Sequence, residues 1–163
     1  MDMNLYLSSF VQRWHTDARL APKGQTLGHH QWGVATLVLL LHPNPSRALI
    51  LAALTHDAGE MLTGDLPYAF KRLYGGGGIA ETVEQAGDAE RDDMLGFRLG
   101  IDETEQAWLD MCDRLESLLY VSVHDPDRLR QEDWKKVRAQ IEGWAFHLGV
   151  TGPVVAMMQG ARV

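Results

Sequence analysis

Three features of this sequence predict an all-α fold, a single-domain helical bundle over residues 1–163. Apolar residues recur three and four positions apart along most of the chain, no alternating β-branched run of useful length occurs, and Pro or Gly punctuates the periodic stretches. The length and composition, 163 residues with 45 % hydrophobic and 23 % charged, suit one globule with a real core.

Leu5, Phe10, Val11 and Trp14 suggest a short first helix, followed by a polar, Gly/Pro-bearing loop from Thr16 to Gln25. From about Leu27 to His42 the residues Val34, Leu37, Val38 and Leu41 keep helical intervals until Pro43 to Pro45 stop them. Ser46 can cap the next helix, which reads continuously through ALILAALTHDAGEML to Thr63-Gly64. That segment is apolar nearly all round and is expected to be the central, buried helix. The Pro67 loop and the glycines Gly75–Gly78 then form a connector or lid. Three further helices are expected at about Glu81–Leu99, Glu103–Val123 and Glu132–Leu148, the last with Trp134, Val137, Ile141 and Trp144 on one face.

The net charge of −7 argues against a nucleic-acid partner, which needs a Lys/Arg stripe, but not against a small phosphorylated ligand beside a local cation. A single cysteine, Cys112, excludes an internal disulfide and sits in an apolar run where an inert thiol is expected. The N-terminus lacks the pattern of a signal peptide, and the longest apolar stretch is too short to span a bilayer. No membrane partner and a cytoplasmic location are therefore expected.

The informative stretch is HDAGEMLTGDLP, residues 56–67. Adjacent residues on a helix point about 100° apart, so His56 and Asp57 cannot both face the core of a regular helix. Yet an otherwise apolar helix would bury them, and a buried carboxylate without a partner costs several kcal/mol. A divalent metal would satisfy both, through imidazole nitrogen and carboxylate oxygen. Glu60, four residues on, is placed to act on a water at that metal. Upstream lies His29-His30; downstream Asp113 sits among Trp108, Leu109, Cys112 and Leu115. Three helices thus each present a His or Asp at a buried-looking position, as helical bundles do when they build metal sites. A second pair, His124-Asp125 before Pro126, reads as a helix-ending turn.

His30, then His56-Asp57, then Asp113 resembles the H…HD…D ligand set of the HD phosphohydrolase superfamily. With Arg13-Trp14 before the first His, HDAGEMLTGDLP is similar to a narrower branch, the bacterial 5'-deoxynucleotidases and phage deoxyadenosine-triphosphate triphosphohydrolases. The resemblance covers roughly residues 13–113. It implies an HD-type bundle in which His30, His56, Asp57 and Asp113 bind one divalent transition ion (Co²⁺, Mn²⁺ or Zn²⁺). It further implies that Glu60 orients or deprotonates the attacking water and Asp65 positions water or leaving group. Arg13 would contact phosphate, Trp14 would pack on sugar or base, and Lys71 would meet phosphate oxygens. Two departures stand out. The first-ligand motif usually reads Glu-His where this chain has His29-His30. Trp32-Gly33-Val34-Ala35 aligns His30 best, with His29 the alternative. Asp110 occupies a position, three before the last ligand, that is often basic.

The expected function is a metal-dependent phosphohydrolase of 2'-deoxynucleotides, a dATP triphosphohydrolase first and a 5'-deoxynucleotidase second. The alternatives are a non-catalytic nucleotide-binding domain and a cyclic-nucleotide phosphodiesterase. Gln25, with both donor and acceptor, could read an adenine edge. His15, His42 and His147 read as surface or helix-end residues, Trp108, Trp134 and Trp144 as packing residues. The acidic run Asp88–Asp93 reads as a solvated helix face. The tryptophans and the acidic surface suggest a homo-oligomer, with the helix of Trp134 and Trp144 as its contact.

Overall fold

The computed structural model of the chain describes residues 3–65 and 78–160. The fold is all-α. The helices are α1 (Met3–Ser8), α2 (Leu27–Leu41), α3 (Arg47–Thr55), α4 (Glu60–Thr63), α5 (Ile79–Leu95), α6 (Glu103–His124), α7 (Glu132–His147) and α8 (Thr151–Gly160), with 3₁₀ turns at Ala21–Lys23 and Pro126–Arg130. Among the described residues no strand forms; Gln12 and Thr26 make an isolated antiparallel bridge. Pro67, Lys71, Arg72 and Gly75 to Gly77 lie outside the described residues.

The chain divides into two compact units, Met1–Gln31 with Thr55–Gly100, and Trp32–Leu54 with Ile101–Val163. Both are discontinuous, and the boundaries fall inside α2 and near the end of α3. In the second unit α6 packs against α7, α8 and the Pro126–Arg130 turn. Its start is fixed locally: Asp102 Oδ1 accepts the Glu105 N–H at 2.8 Å while Glu105 Oε2 accepts the Asp102 N–H at 3.4 Å, a capping box. The apolar stripe then buries Trp108, Leu109, Met111, Cys112, Leu115, Leu118 and Val121. Val34, Leu37, Val38 and Leu41 of α2 are all buried, as their spacing predicts.

Several expectations are corrected. The first helix stops at Ser8: Val11 O instead accepts from Leu27 N and Arg13 N donates to Gln25 O, both at 2.9 Å, on either side of the Gln12–Thr26 bridge. The helix capped by Ser46, whose Oγ accepts the Leu49 N–H at 3.0 Å, does not continue to Thr63; it ends at Thr55, and His56–Gly59 form a turn before α4. Nor is it buried all round, since Leu49, Ala52 and Ala53 are buried while Leu54 is 41 % exposed. α8 was not expected; proline is tolerated in a first helical turn, and α8 buries Val154 and Met158 one turn apart.

In the first unit α1 packs against α4 and α5. Its buried residues include Leu20, Leu27, Ala58 and Met94, but also the polar Ser8, Gln25, His30 and Gln31. Burying that many polar groups in a small unit is unfavourable unless each meets a partner or a ligand. The acidic run on α5 is more than a solvated face. Arg91 bridges Asp88 at 2.7 Å and Asp92 at 2.9 Å, and Asp92 Oδ1 also accepts the Leu99 N–H at 3.2 Å.

Candidate metal centre

The turn at residues 56–59 resolves the difficulty posed by adjacent His and Asp. With the helix interrupted, both side chains reach one point: His56 Nε2 lies 3.4 Å from Asp57 Oδ2, and His30 Nε2, from the first turn of α2, lies 3.5 Å from the same oxygen. The two imidazole rings meet edge-on with centroids 5.2 Å apart. His30 is fully buried and His29 is exposed, so of the neighbouring histidines it is His30 that joins the cluster. Thr26 sets this register, its Oγ1 accepting the His29 N–H at 3.3 Å and its carbonyl the His30 N–H at 3.0 Å.

These distances are longer than a strong hydrogen bond and within the spacing of atoms that share an ion. A charge-assisted N–H···O bond is about 2.7–2.9 Å long. Ligand atoms about 2.0–2.2 Å from a tetrahedrally coordinated ion lie about 3.3–3.6 Å from one another. The observed 3.4 and 3.5 Å match the second case. The donor set, two imidazole nitrogens and a carboxylate oxygen, is that of a borderline-soft divalent metal. His30, His56 and Asp57 thus fit such an ion.

The turn is held from the other side by α5. Gly59 has ordinary right-handed helical angles (φ −63°), so it is not glycine for conformational reasons. A Cβ there would lie 2.2 Å from the carbonyl oxygen of Gly87, which leaves glycine as the only residue that fits. Glu60 follows at once, opening α4, half-exposed with one carboxylate oxygen buried.

A second cluster joins residues from both ends of the first unit. Trp14 has φ 59°, the left-handed region, which costs a residue with a Cβ roughly 1–2 kcal/mol. Asp65 Oδ2 accepts the Trp14 N–H at 3.0 Å across 51 residues of sequence. The Trp14 indole N–H donates to Gln25 Oε1, and Arg13 donates to the same oxygen at 3.4 Å while its guanidinium lies 5.4 Å from the indole centroid, within cation–π range. Arg13 and Trp14, adjacent in sequence, are thereby held together with Gln25 and Asp65. Gln25 is 1 % exposed, and its side-chain oxygen is engaged inside the chain by Trp14 and Arg13.

Asp113 belongs to the second unit, half-buried on α6. Beside it the Cys112 thiol is pushed up to about 12 by burial, with the charge of Asp113 adding to the effect. That thiol is inert at neutral pH, as its apolar setting predicts. Lys71 lies outside the described residues. Among the buried polar residues, Glu116 and Gln31 were not expected from the sequence. Glu116 packs on α2: a Cβ at Gly33 would meet its Cγ at 2.8 Å. The signal for Glu116 was a charge at an apolar position of the α6 stripe, between Leu115 and Leu118.

No helix among the described residues is long and apolar enough to cross a membrane. Comparison of the chain with family models, with curated proteins and with solved structures finds no match.

Proposed function

We propose that this chain is a metal-dependent phosphohydrolase acting on the 5' phosphate ester of 2'-deoxynucleotides, a dNTP triphosphohydrolase with dATP as its first candidate substrate. The observation that carries the metal-site reading is the convergence of His30 Nε2 and His56 Nε2 on Asp57 Oδ2 at metal-sharing distances. Asp113 completes the ligand set by its place in the H…HD…D order. A divalent transition ion in this site supplies Lewis-acid charge and brings the pKa of water down toward about 7.

The chain's own residues would do the remainder. Glu60, at the start of α4, takes a proton from the attacking water. Arg13 carries a fixed positive charge toward the phosphoryl oxygens, and it can do so without losing its orientation because Gln25 and the Trp14 ring hold the guanidinium. Trp14 offers a flat apolar surface to deoxyribose or base. Asp65 positions water or leaving group, and its Oδ2 also holds the Trp14 backbone N–H. Release of inorganic phosphate from a monophosphate uses the same groups, so a 5'-deoxynucleotidase is the second reading. The chain is further proposed to act as a homo-oligomer joined through α7, where Trp134 and Trp144 remain half-exposed.

The test is direct. Purified protein is incubated with Co²⁺, Mn²⁺ or Zn²⁺ and each dNMP and dNTP, and products are separated by chromatography. Nucleoside with triphosphate supports the first reading and nucleoside with orthophosphate the second. Absence of metal-dependent product from every nucleotide removes both.

A further inference from the structure

We propose that Gln25 is a positioning residue that sets the plane of the Trp14 indole, and with it the tightness of nucleotide binding. The inference rests on the reading of Arg13 and Trp14 as substrate contacts, but its structural half is independent of that reading. Trp14 is the single non-glycine residue among those described with positive φ, and its backbone is held on both sides, the N–H by Asp65 at 3.0 Å and the carbonyl by the Asp17 N–H at 2.7 Å. Those backbone bonds fix where the residue sits, but they do not set the side-chain torsions that orient the ring. The ring is fixed from its other end, because the indole N–H donates to Gln25 Oε1.

Gln25 is suited to the task. Its side chain is 1 % exposed, so water does not compete for the oxygen. Its backbone is also anchored, the carbonyl accepting the Arg13 N–H at 2.9 Å, next to the Gln12–Thr26 bridge. The same Oε1 meets the Arg13 guanidinium at 3.4 Å, so one acceptor orders the phosphate-directed charge and the sugar-directed ring together. A flat surface fixed before the ligand arrives loses less rotamer freedom on binding, and that gain appears in affinity rather than in the chemical step.

Two readouts test this. In protein labelled with ¹⁵N-tryptophan, the Trp14 indole resonance is assigned by its loss in Trp14→Phe, and its exchange with solvent is measured without nucleotide. Slow exchange is expected in wild type and in Gln25→Glu, which keeps an acceptor oxygen, and at least tenfold faster exchange in Gln25→Met, which has none of comparable strength. Steady-state kinetics with the best metal and deoxynucleotide should then show KM raised about tenfold in Gln25→Met with kcat within twofold, a split that a general loss of folding would not produce. Exchange of the wild-type Trp14 indole as fast as that of an exposed tryptophan overturns the proposal without reference to any variant. So does protection retained in Gln25→Met, or protection lost there with KM unchanged. Wild-type protein that hydrolyses no nucleotide counts against the proposed function instead, while the exchange measurement still decides whether Gln25 holds Trp14.

Discussion

Gly59 and Gly87 touch backbone to backbone, and the contact is one-sided. A Cβ on Gly59 would enter the α5 main chain, 2.2 Å from Gly87 O and 2.3 Å from its Cα, whereas a Cβ on Gly87 would rest 3.9 Å from Gly59 Cα in ordinary contact. The turn carrying His56 and Asp57 is therefore pressed against α5 at a spacing that only glycine on the turn permits. Gly59→Ala should destabilise the protein by about 1–3 kcal/mol or more through overpacking. Gly87→Ala should be neutral or stabilising by up to about 1 kcal/mol, because alanine is the better helix former. Urea unfolding followed by circular dichroism measures both. Equal costs for the two variants would contradict the one-sided contact.

Metal should bind and stabilise through the same turn. At a free metal concentration 100 times Kd the linkage is worth about 2.7 kcal/mol. For a chain of this length that raises Tm by roughly 5–10 °C. Asp57→Asn and His30→Ala should lose this gain, read by thermal melts with Co²⁺ and by metal content after desalting. A wild-type Tm indifferent to Co²⁺, Mn²⁺ and Zn²⁺, with EDTA equally without effect, would remove the metal centre.

Glu60 and Asp113 should separate by role. Glu60→Ala is expected to keep its metal and lose about 10²–10⁴-fold in turnover, the usual worth of general acid–base assistance. Asp113→Ala should lose both metal and activity while folding nearly as wild type, since Asp113 is a half-buried group on a helix whose apolar stripe is intact. Metal analysis beside steady-state rates makes the distinction. Metal lost from Glu60→Ala would make Glu60 a ligand, and normal turnover in Asp113→Ala would exclude Asp113 from the site.

Cys112 supplies a pH dependence of known sign. Its folded pKa, about 12, lies above the roughly 8.5 of an unfolded thiol. Its contribution is therefore fully present below about pH 8.5 and is lost as pH rises toward 12. The difference in unfolding free energy between wild type and Cys112→Ala should shrink from pH 8 to pH 11 in urea titrations. A thiol reagent at pH 8 should leave the native protein unmodified and label one cysteine after unfolding. Rapid labelling of the native protein would show that the thiol is not buried.

The residues that determine this protein's local structure act at short range, and they are readable in the sequence. Ser46 and Asp102 cap their helices with their own side chains, Pro126 follows the end of α6, and the spacing of Val34, Leu37, Val38 and Leu41 selects the buried face of α2. The candidate ligands were also legible, because a His or Asp in an apolar stretch stands out by its desolvation cost. What the sequence could not express is contact between distant residues. Periodicity carried one helix straight through His56 and Asp57; the structure breaks it there, where Gly59 must clear Gly87, and the break lets two adjacent side chains converge on one point. Gln25 accepts from the Trp14 indole, 11 residues away, and Asp65 meets the Trp14 backbone across 51 residues. Hydrogen-bond partners and close backbone approaches depend on where the chain returns in space. No window of neighbouring residues contains that, so the ligand types belong to the sequence and their convergence to the tertiary fold.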